Sequence, residues 1–170
     1  MALTEKALHD FFLAYFKNAL KSSAKVPILD LGGGKNVSDV CSIAKHLQRT
    51  SKDFNGLSLE ERMEVEQWIE YANTTVKFSD SESEKIILKE LNNWLKDRAF
   101  FVANRLTVAD VIMFYNLYYL FAERLTFQEK EGCIHLSRWF HNVQQDKNVR
   151  QSLQHLTFLR TPVYDGVRSH

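Results

Sequence analysis

Cys41 and Cys133 are the only thiols in the chain, and with six histidines they are its natural candidates for nucleophilic or metal chemistry. A cysteine attacks as its thiolate, so it needs a positive neighbour or a base that lowers its pKa. Cys41 stands near the start of an amphipathic segment with no identifiable proton acceptor, and it reads as a buried structural thiol. Cys133, His135 and His141 are close in sequence, but their spacing fits no zinc pattern and a fourth ligand has no source. They read as a core thiol beside surface imidazoles, so no metal and no cofactor are expected. The run Gly32-Gly-Gly-Lys35-Asn36 resembles a phosphate loop in composition only. Such a loop requires Gly-x-x-x-x-Gly-Lys followed by Ser or Thr. Leu29 holds the first glycine position and Asn36 the last, so a hairpin turn is expected. Tyr15 lies on the apolar face of its segment, and Trp68, Trp94 and Trp139 sit at helical spacing within apolar faces; all four read as core.

The composition narrows the field further. The chain has 170 residues, 45% hydrophobic and 25% charged, with a formal net charge of +1. That balance describes a globular protein with no field directed at nucleic acid or anionic membrane. The tail arginines Arg160 and Arg168 are too few to alter this. No stretch is long and apolar enough to span a bilayer, and the N-terminus lacks a signal-peptide layout. Two distant cysteines suit a reducing compartment, so the sequons at Asn36 and Asn73 read as chance.

The elements that would position any site follow from periodicity. Residues 2–21 place Leu3, Ala7, Leu8, Phe11, Phe12, Tyr15, Phe16, Ala19 and Leu20 at helical spacing. Residues 25–31 read as a strand with Pro27 near its start, and residues 32–34 as a turn. Lys35 to Val37 would then return as the second strand of a hairpin. Ser38 is the expected N-cap of a helix running to about Leu47. The polar stretch 49–57 marks a boundary, and every later element reads as helical. Ser58 with Glu61, and Thr126 with Glu129, form capping boxes. Residues 79–83 form a loop, and Ile86 to Leu95 mark a helix. Thr107 and Asp110 form a third box flanked by the staple pair Leu106 and Val111. The helix after it, Val108 to Glu123, is apolar nearly all round and should be buried. Further helices are expected over 134–145 and 148–156, and then an irregular tail from Arg160.

The run Phe101-Val-Ala-Asn-Arg-Leu-Thr-Val-Ala-Asp110 opening a core helix resembles the C-terminal domain of the glutathione transferase superfamily. Val26-Pro27-Ile28-Leu29, the glycine turn and the helix from Ser38 resemble the end of a thioredoxin-like domain. The implied fold is α+β and mostly helical. It has a truncated thioredoxin-like subdomain of two strands and two helices over 1–50, a transferase-like helical domain over 58–160 and a tail over 161–170. Pro27, whose preceding bond is usually cis in the superfamily, Thr107 and Asp110 would be the fold-critical residues. The superfamily activates glutathione with a Tyr, Ser or Cys just after a first strand, for which no room is expected before Val26. Its glutathione-binding Ser aligns with Val40, preceded by Asp39, and valine donates no hydrogen bond. Transferase activity is therefore not expected.

A narrower resemblance rests on Ile43-Ala-Lys-His-Leu47, Gln67-Trp-Ile-Glu-Tyr71, Leu91-Asn-Asn-Trp-Leu95, Leu125-Thr-Phe-Gln-Glu-Lys130, Ser137-Arg-Trp-Phe140 and Val149-Arg-Gln-Ser-Leu153. These resemble the non-catalytic auxiliary subunits of the animal multi-tRNA-synthetase complex. That resemblance implies a scaffold binding the transferase-like domains of methionyl-tRNA synthetase and glutamyl-prolyl-tRNA synthetase, with elongation factor 1 subunits nearby. No direct nucleic-acid or membrane contact is implied. One docking face would lie around residues 38–48 and the helix from Ser58, the other at Arg138, the residue expected to bind a partner. The family also implies a cytoplasmic location with a nuclear role in DNA-damage signalling. The alternatives are a glutathione-dependent enzyme and a subunit of an elongation-factor assembly alone.

Overall fold

The computed structural model describes residues 2–16, 20–21 and 28–158. Helix α1 covers Ala2–Phe16 and buries Ala7, Phe11 and Phe12, one turn apart on one face. It stops short of the expected Lys21, because Leu20–Lys21 forms a strand, β1, instead. β1 pairs antiparallel with β2 (Ile28–Asp30), which pairs antiparallel with β3 (Asn36–Val37), so the expected two strands are three. A pairing partner further along the chain, invisible to local periodicity, overrides helix propensity here. The hairpin between β2 and β3 forms as expected. Asp30 Oδ1 accepts from Gly32 N–H at 2.9 Å, and Gly32, Gly33 and Gly34 all take positive φ, which side-chain-free residues adopt without strain. Pro27, its bond to Val26 and the tail 161–170 lie outside the described residues.

Helix α2 (Val40–Thr50) is capped by Asp39 rather than Ser38: Asp39 Oδ2 accepts from Ser42 N–H at 2.9 Å. A carboxylate three residues ahead of that amide serves the cap better than a hydroxyl one position early. Helix α3 (Leu59–Tyr71) opens on the expected Ser58–Glu61 box and ends in a widened π turn over Ala72–Val76. Asn73 Nδ2 and Thr74 Oγ1 donate to the carbonyls of Ile69 and Glu70, competing with the helix ladder at that turn. Helix α4 (Ser81–Trp94) follows, then the buried α5 (Val108–Tyr119), which ends in a second π turn over Leu120–Arg124. The Thr126–Glu129 box starts α6 (Phe127–Gly132). Helix α7 spans Ile134–Val143, and the last helix, α8, is only Lys147–Arg150 where 148–156 is expected.

Helix α5 is the centre of the molecule. Ala109, Val111, Ile112, Met113, Phe114 and Leu117 have no exposed surface. Its tyrosines stitch the two ends of the chain onto it. Tyr115 Oη donates its one proton to the Val149 carbonyl, with the Ala7 carbonyl 3.2 Å away, and Tyr118 Oη donates to the Gln154 carbonyl at 2.7 Å. One apolar cluster takes in α1, β2 and helices α2 to α5 and α7, and it runs without a break across residues 50–58.

Candidate functional site

Asp110 sits at the third residue of α5 with no exposed surface. Its Oδ2 accepts from the Thr107 N–H at 2.9 Å and the Thr107 hydroxyl at 2.8 Å. Its Oδ1 accepts from the Phe101 N–H at 3.0 Å and from Trp139 Nε1 at 2.8 Å. The capping box forms, and Asp110 Oδ2 takes both the N–H and the hydroxyl of Thr107. Burial pushes the carboxyl above its ordinary range, and the bonds from Phe101, Trp139 and Thr107 pull the other way. One buried group thus joins three pieces: the loop before α5, the start of α5 and the middle of α7. The link to Trp139 was missed from sequence. Its signal was there, since a buried indole N–H needs an acceptor.

The Asp110–Trp139 bond fixes the rotation of α7, and Arg138 is the residue before Trp139. The Arg138 side chain is exposed, but Nη2 donates to the carbonyls of Leu95 at 2.7 Å and Arg98 at 2.9 Å. It therefore closes carbonyls just past the end of α4, a placement suited to a cation. Arg98 lies over the Trp94 ring at 4.0 Å. Lys96, Asp97, Arg98, Ala99, Arg138, His141 and Asn142 line one shared depression. Nη1 and Nε of Arg138 make no hydrogen bond with the described residues and are open to a partner.

The first expected face, residues 38–48 and the helix from Ser58, is built by α2 and α3, and α4 adjoins it through the Tyr71–Glu90 bond. Lys45 Nζ–Glu70 Oε1 and Arg49 Nη2–Glu66 Oε1, each at 2.6 Å, tie α2 to α3. Both pairs are partly exposed, and pairs of that kind orient elements more than they stabilise them. Leu59, Met63, Gln67 and Tyr71 fall four residues apart on α3, as do Ile86, Glu90 and Trp94 on α4. Leu59, Met63 and Ile86 are 69%, 48% and 61% exposed, an unusual outlay of large apolar surface on two neighbouring helices. Between the two rows opens a cavity of about 320 Å³ lined by Gln67, Trp68, Tyr71, Glu90, Leu91 and Trp94. Trp68 and Trp94, expected as core, are half-buried walls of it; Trp139 is fully buried as expected. Tyr71 Oη donates to Glu90 Oε2 at 3.0 Å, and burial together with that bond pushes the phenol up to about 12.

The residues that could do transferase or thiol chemistry are arranged for other work. Asp39 spends its carboxylate on capping α2, and Val40 occupies the first helical position. Cys41 is half-buried, and its thiol is pushed up to about 11 by burial first and then by Asp39 and Glu70. Burial likewise raises Cys133. Tyr15 packs its ring against Phe11 at 5.1 Å and Phe54 at 5.5 Å. Cys133, His135 and His141 do not converge: the His135 N–H bonds Asn92 Oδ1, while the His141 ring faces Gln144, Gln145 and His155. No group of three or more His, Cys, Asp or Glu suited to a metal occurs among the described residues.

This architecture is that of a glutathione-transferase-like domain. The transferase-like domain of elongation factor 1-gamma from Saccharomyces cerevisiae superposes with a TM-score of 0.72 at 14% identity, covering 91% of each chain. Residues 61–147 match the family model described as nuclear-export cofactor Arc1p. Eukaryotic translation elongation factor 1 epsilon-1 of Cricetulus griseus is 32% identical over 151 residues, covering 87% of this chain and 86% of that protein. The bifunctional glutamate/proline–tRNA ligase of the same organism is 31% identical over 115 residues, which are 66% of this chain and 8% of the ligase. The chain belongs to the eukaryotic translation elongation factor 1 epsilon-1 family.

Proposed function

We propose that this protein is a non-catalytic scaffold of the translation machinery, a subunit that links aminoacyl-tRNA synthetases through their transferase-like domains in the cytoplasm. The observation that carries the reading is the pairing of relatives: one chain matches an elongation factor 1 subunit along nearly its whole length and also a segment of a tRNA ligase. The glutamyl-prolyl-tRNA synthetase domain is assigned to the Arg138 surface and the methionyl-tRNA synthetase domain to the α2–α3 face. Exposed apolar rows, a guanidinium with spare donors and thiols raised rather than lowered support docking over catalysis. Holding two synthetases on one small body raises the effective concentration of each near the other without any new chemistry. A second reading, a subunit of an elongation-factor assembly alone, is favoured by the fold match to the elongation factor 1-gamma domain.

A native pull-down of the tagged protein from its own cells tests both. Recovery of methionyl- and glutamyl-prolyl-tRNA synthetases supports the scaffold. Loss of the second from an Arg138→Ala bait that retains its circular dichroism places that surface. Recovery of elongation factors with no synthetase moves the assignment to the second reading. Retention of the protein on immobilised glutathione would instead return the chain to the enzymes.

A further inference from the structure

The lining of the α3–α4 cavity has a definite chemistry. Trp68 meets Tyr71 at 5.6 Å and 81°, and Trp94 at 5.1 Å and 59°, so the rings form a corner rather than a stack. The polar edges of two rings are already used: Trp94 Nε1 donates to the Phe101 carbonyl at 3.2 Å and Tyr71 Oη to Glu90. What Trp94 and Tyr71 bring to the cavity is therefore their π surface. The one charged side chain in the lining is Glu90, and no cation lines the cavity. Aromatic faces carry negative potential at their centres and attract cations. An anion would meet both those faces and the carboxylate. A neutral apolar group would strip water from Glu90 and add no partner to the Tyr71 hydroxyl.

We propose that this cavity receives the guanidinium of an arginine presented by a docking protein domain. The proposal rests on the scaffold reading and names what that first face recognises. Arginine suits the site better than lysine, because a planar guanidinium stacks on an indole while its N–H fork reaches a carboxylate. The chain makes such a stack itself: Arg98 lies 4.0 Å over the Trp94 ring, while lining the neighbouring depression rather than this cavity. A protein is the source, not a free amine, because the two helices that line the cavity also leave Leu59, Met63 and Ile86 exposed. A charged anchor in a central pocket ringed by apolar contacts is how interface hot spots are built.

The test uses the full chain and Nα-acetyl-arginine methylamide as probe, with the citrulline analogue as its neutral isostere. Tryptophan indole N–H resonances report occupancy. Saturable shifts of Trp68 and Trp94, with Trp139 unmoved, are expected for the arginine probe only. Affinity should be weak, with a Kd on the order of 1 mM for a single side chain. Glu90→Gln should weaken it several-fold without touching the fold, and Trp94→Leu should abolish it. Equal binding of the citrulline analogue, or no saturation, overturns the assignment. Saturating arginine probe should also lower synthetase recovery in the pull-down. Undiminished recovery overturns the cavity as a docking point while leaving the scaffold standing. Probe binding with no synthetase recovered from any bait overturns the scaffold, and the partner arginine with it.

Discussion

Replacing Asp110 by Asn keeps the shape of the side chain and removes its charge. If the amide oxygen takes the Oδ1 position, it still accepts from Phe101 N–H and Trp139 Nε1. The amide nitrogen then faces the Thr107 N–H, donor against donor. A buried N–H left without an acceptor costs about 1–3 kcal/mol. The two surviving bonds fall from charge-assisted to neutral strength, roughly half. Against this stands the relief of a carboxylate buried without any exposed surface, whose desolvation is the first cause of its raised pKa. The balance is a loss of about 2–3 kcal/mol, or a fall in Tm of about 5–10 °C for a chain of this size. Urea unfolding followed by circular dichroism at neutral pH measures it. Trp139→Phe should cost about 1.5–3 kcal/mol, the size of one charge-assisted bond. The double variant should be less unstable than the sum, because both changes strike the same bond. An Asp110→Asn variant within about 0.5 kcal/mol of the parent, or strict additivity with Trp139→Phe, would refute the hub.

Two further perturbations follow from buried polar groups. Gln48 on α2 is 2% exposed, and neither of its amide atoms has a hydrogen-bond partner among the described residues. Gln48→Met keeps the volume and removes the unmet polarity, so the urea midpoint should rise by the equivalent of about 1–2 kcal/mol; a fall would show that the amide is satisfied. Cys41, pushed up to about 11, holds its proton in the folded chain where an unfolded thiol has lost it. The folded state binds the extra proton between an unfolded pKa of about 8.5–9 and the folded value, so stability falls as pH rises through that window. Cys41→Ala should flatten this alkaline loss in urea melts. Native Cys41 should also react with iodoacetamide at pH 8 roughly a hundred times more slowly than the denatured chain; equal rates would contradict the burial argument.

The helical half was readable where its starts carry a local chemical signature, whereas α4 begins at Ser81, inside the stretch expected as a loop. Ser58–Glu61, Thr107–Asp110 and Thr126–Glu129 all open helices at the expected residue. Local signals failed where a distant segment decides. Residues 17–21 continue the helical period of α1, yet Leu20–Lys21 pairs with Leu29 and Ile28. Ser38 and Asp39 are both good caps, and only the backbone geometry at Ser42 selects Asp39. The same limit applies to the candidate site. Arg138 was visible as a residue apart, but its bonds to the carbonyls of Leu95 and Arg98 join positions about forty residues away in sequence. The α3–α4 cavity was hidden because Trp68 and Trp94 fit their helical stripes, and a stripe does not reveal which of its members reach the surface.

Arg138 therefore carries two loads, so the Arg138→Ala bait speaks to docking because its fold is checked beside it. Its Nη2 secures the end of α4, and its other donors are the ones free for a partner. Asp110 contributes to docking only through Trp139, by setting the rotation of α7. The fold and the surface are coupled, and the coupling is reciprocal: loss of the hub disturbs the Arg138 surface, and a partner bound there favours the rotation of α7 that the hub sets. Under the proposed scaffold role, a transferase-like body serves assembly without a redesigned core. The capped helix and its buried aspartate hold the same frame, and new function needs only outward-facing side chains on α3, α4 and α7. The exposed Leu59, Met63 and Ile86, like the spare donors of Arg138, add nothing to the interior they stand on. Their cost in exposed apolar surface is recovered only when a second protein covers them.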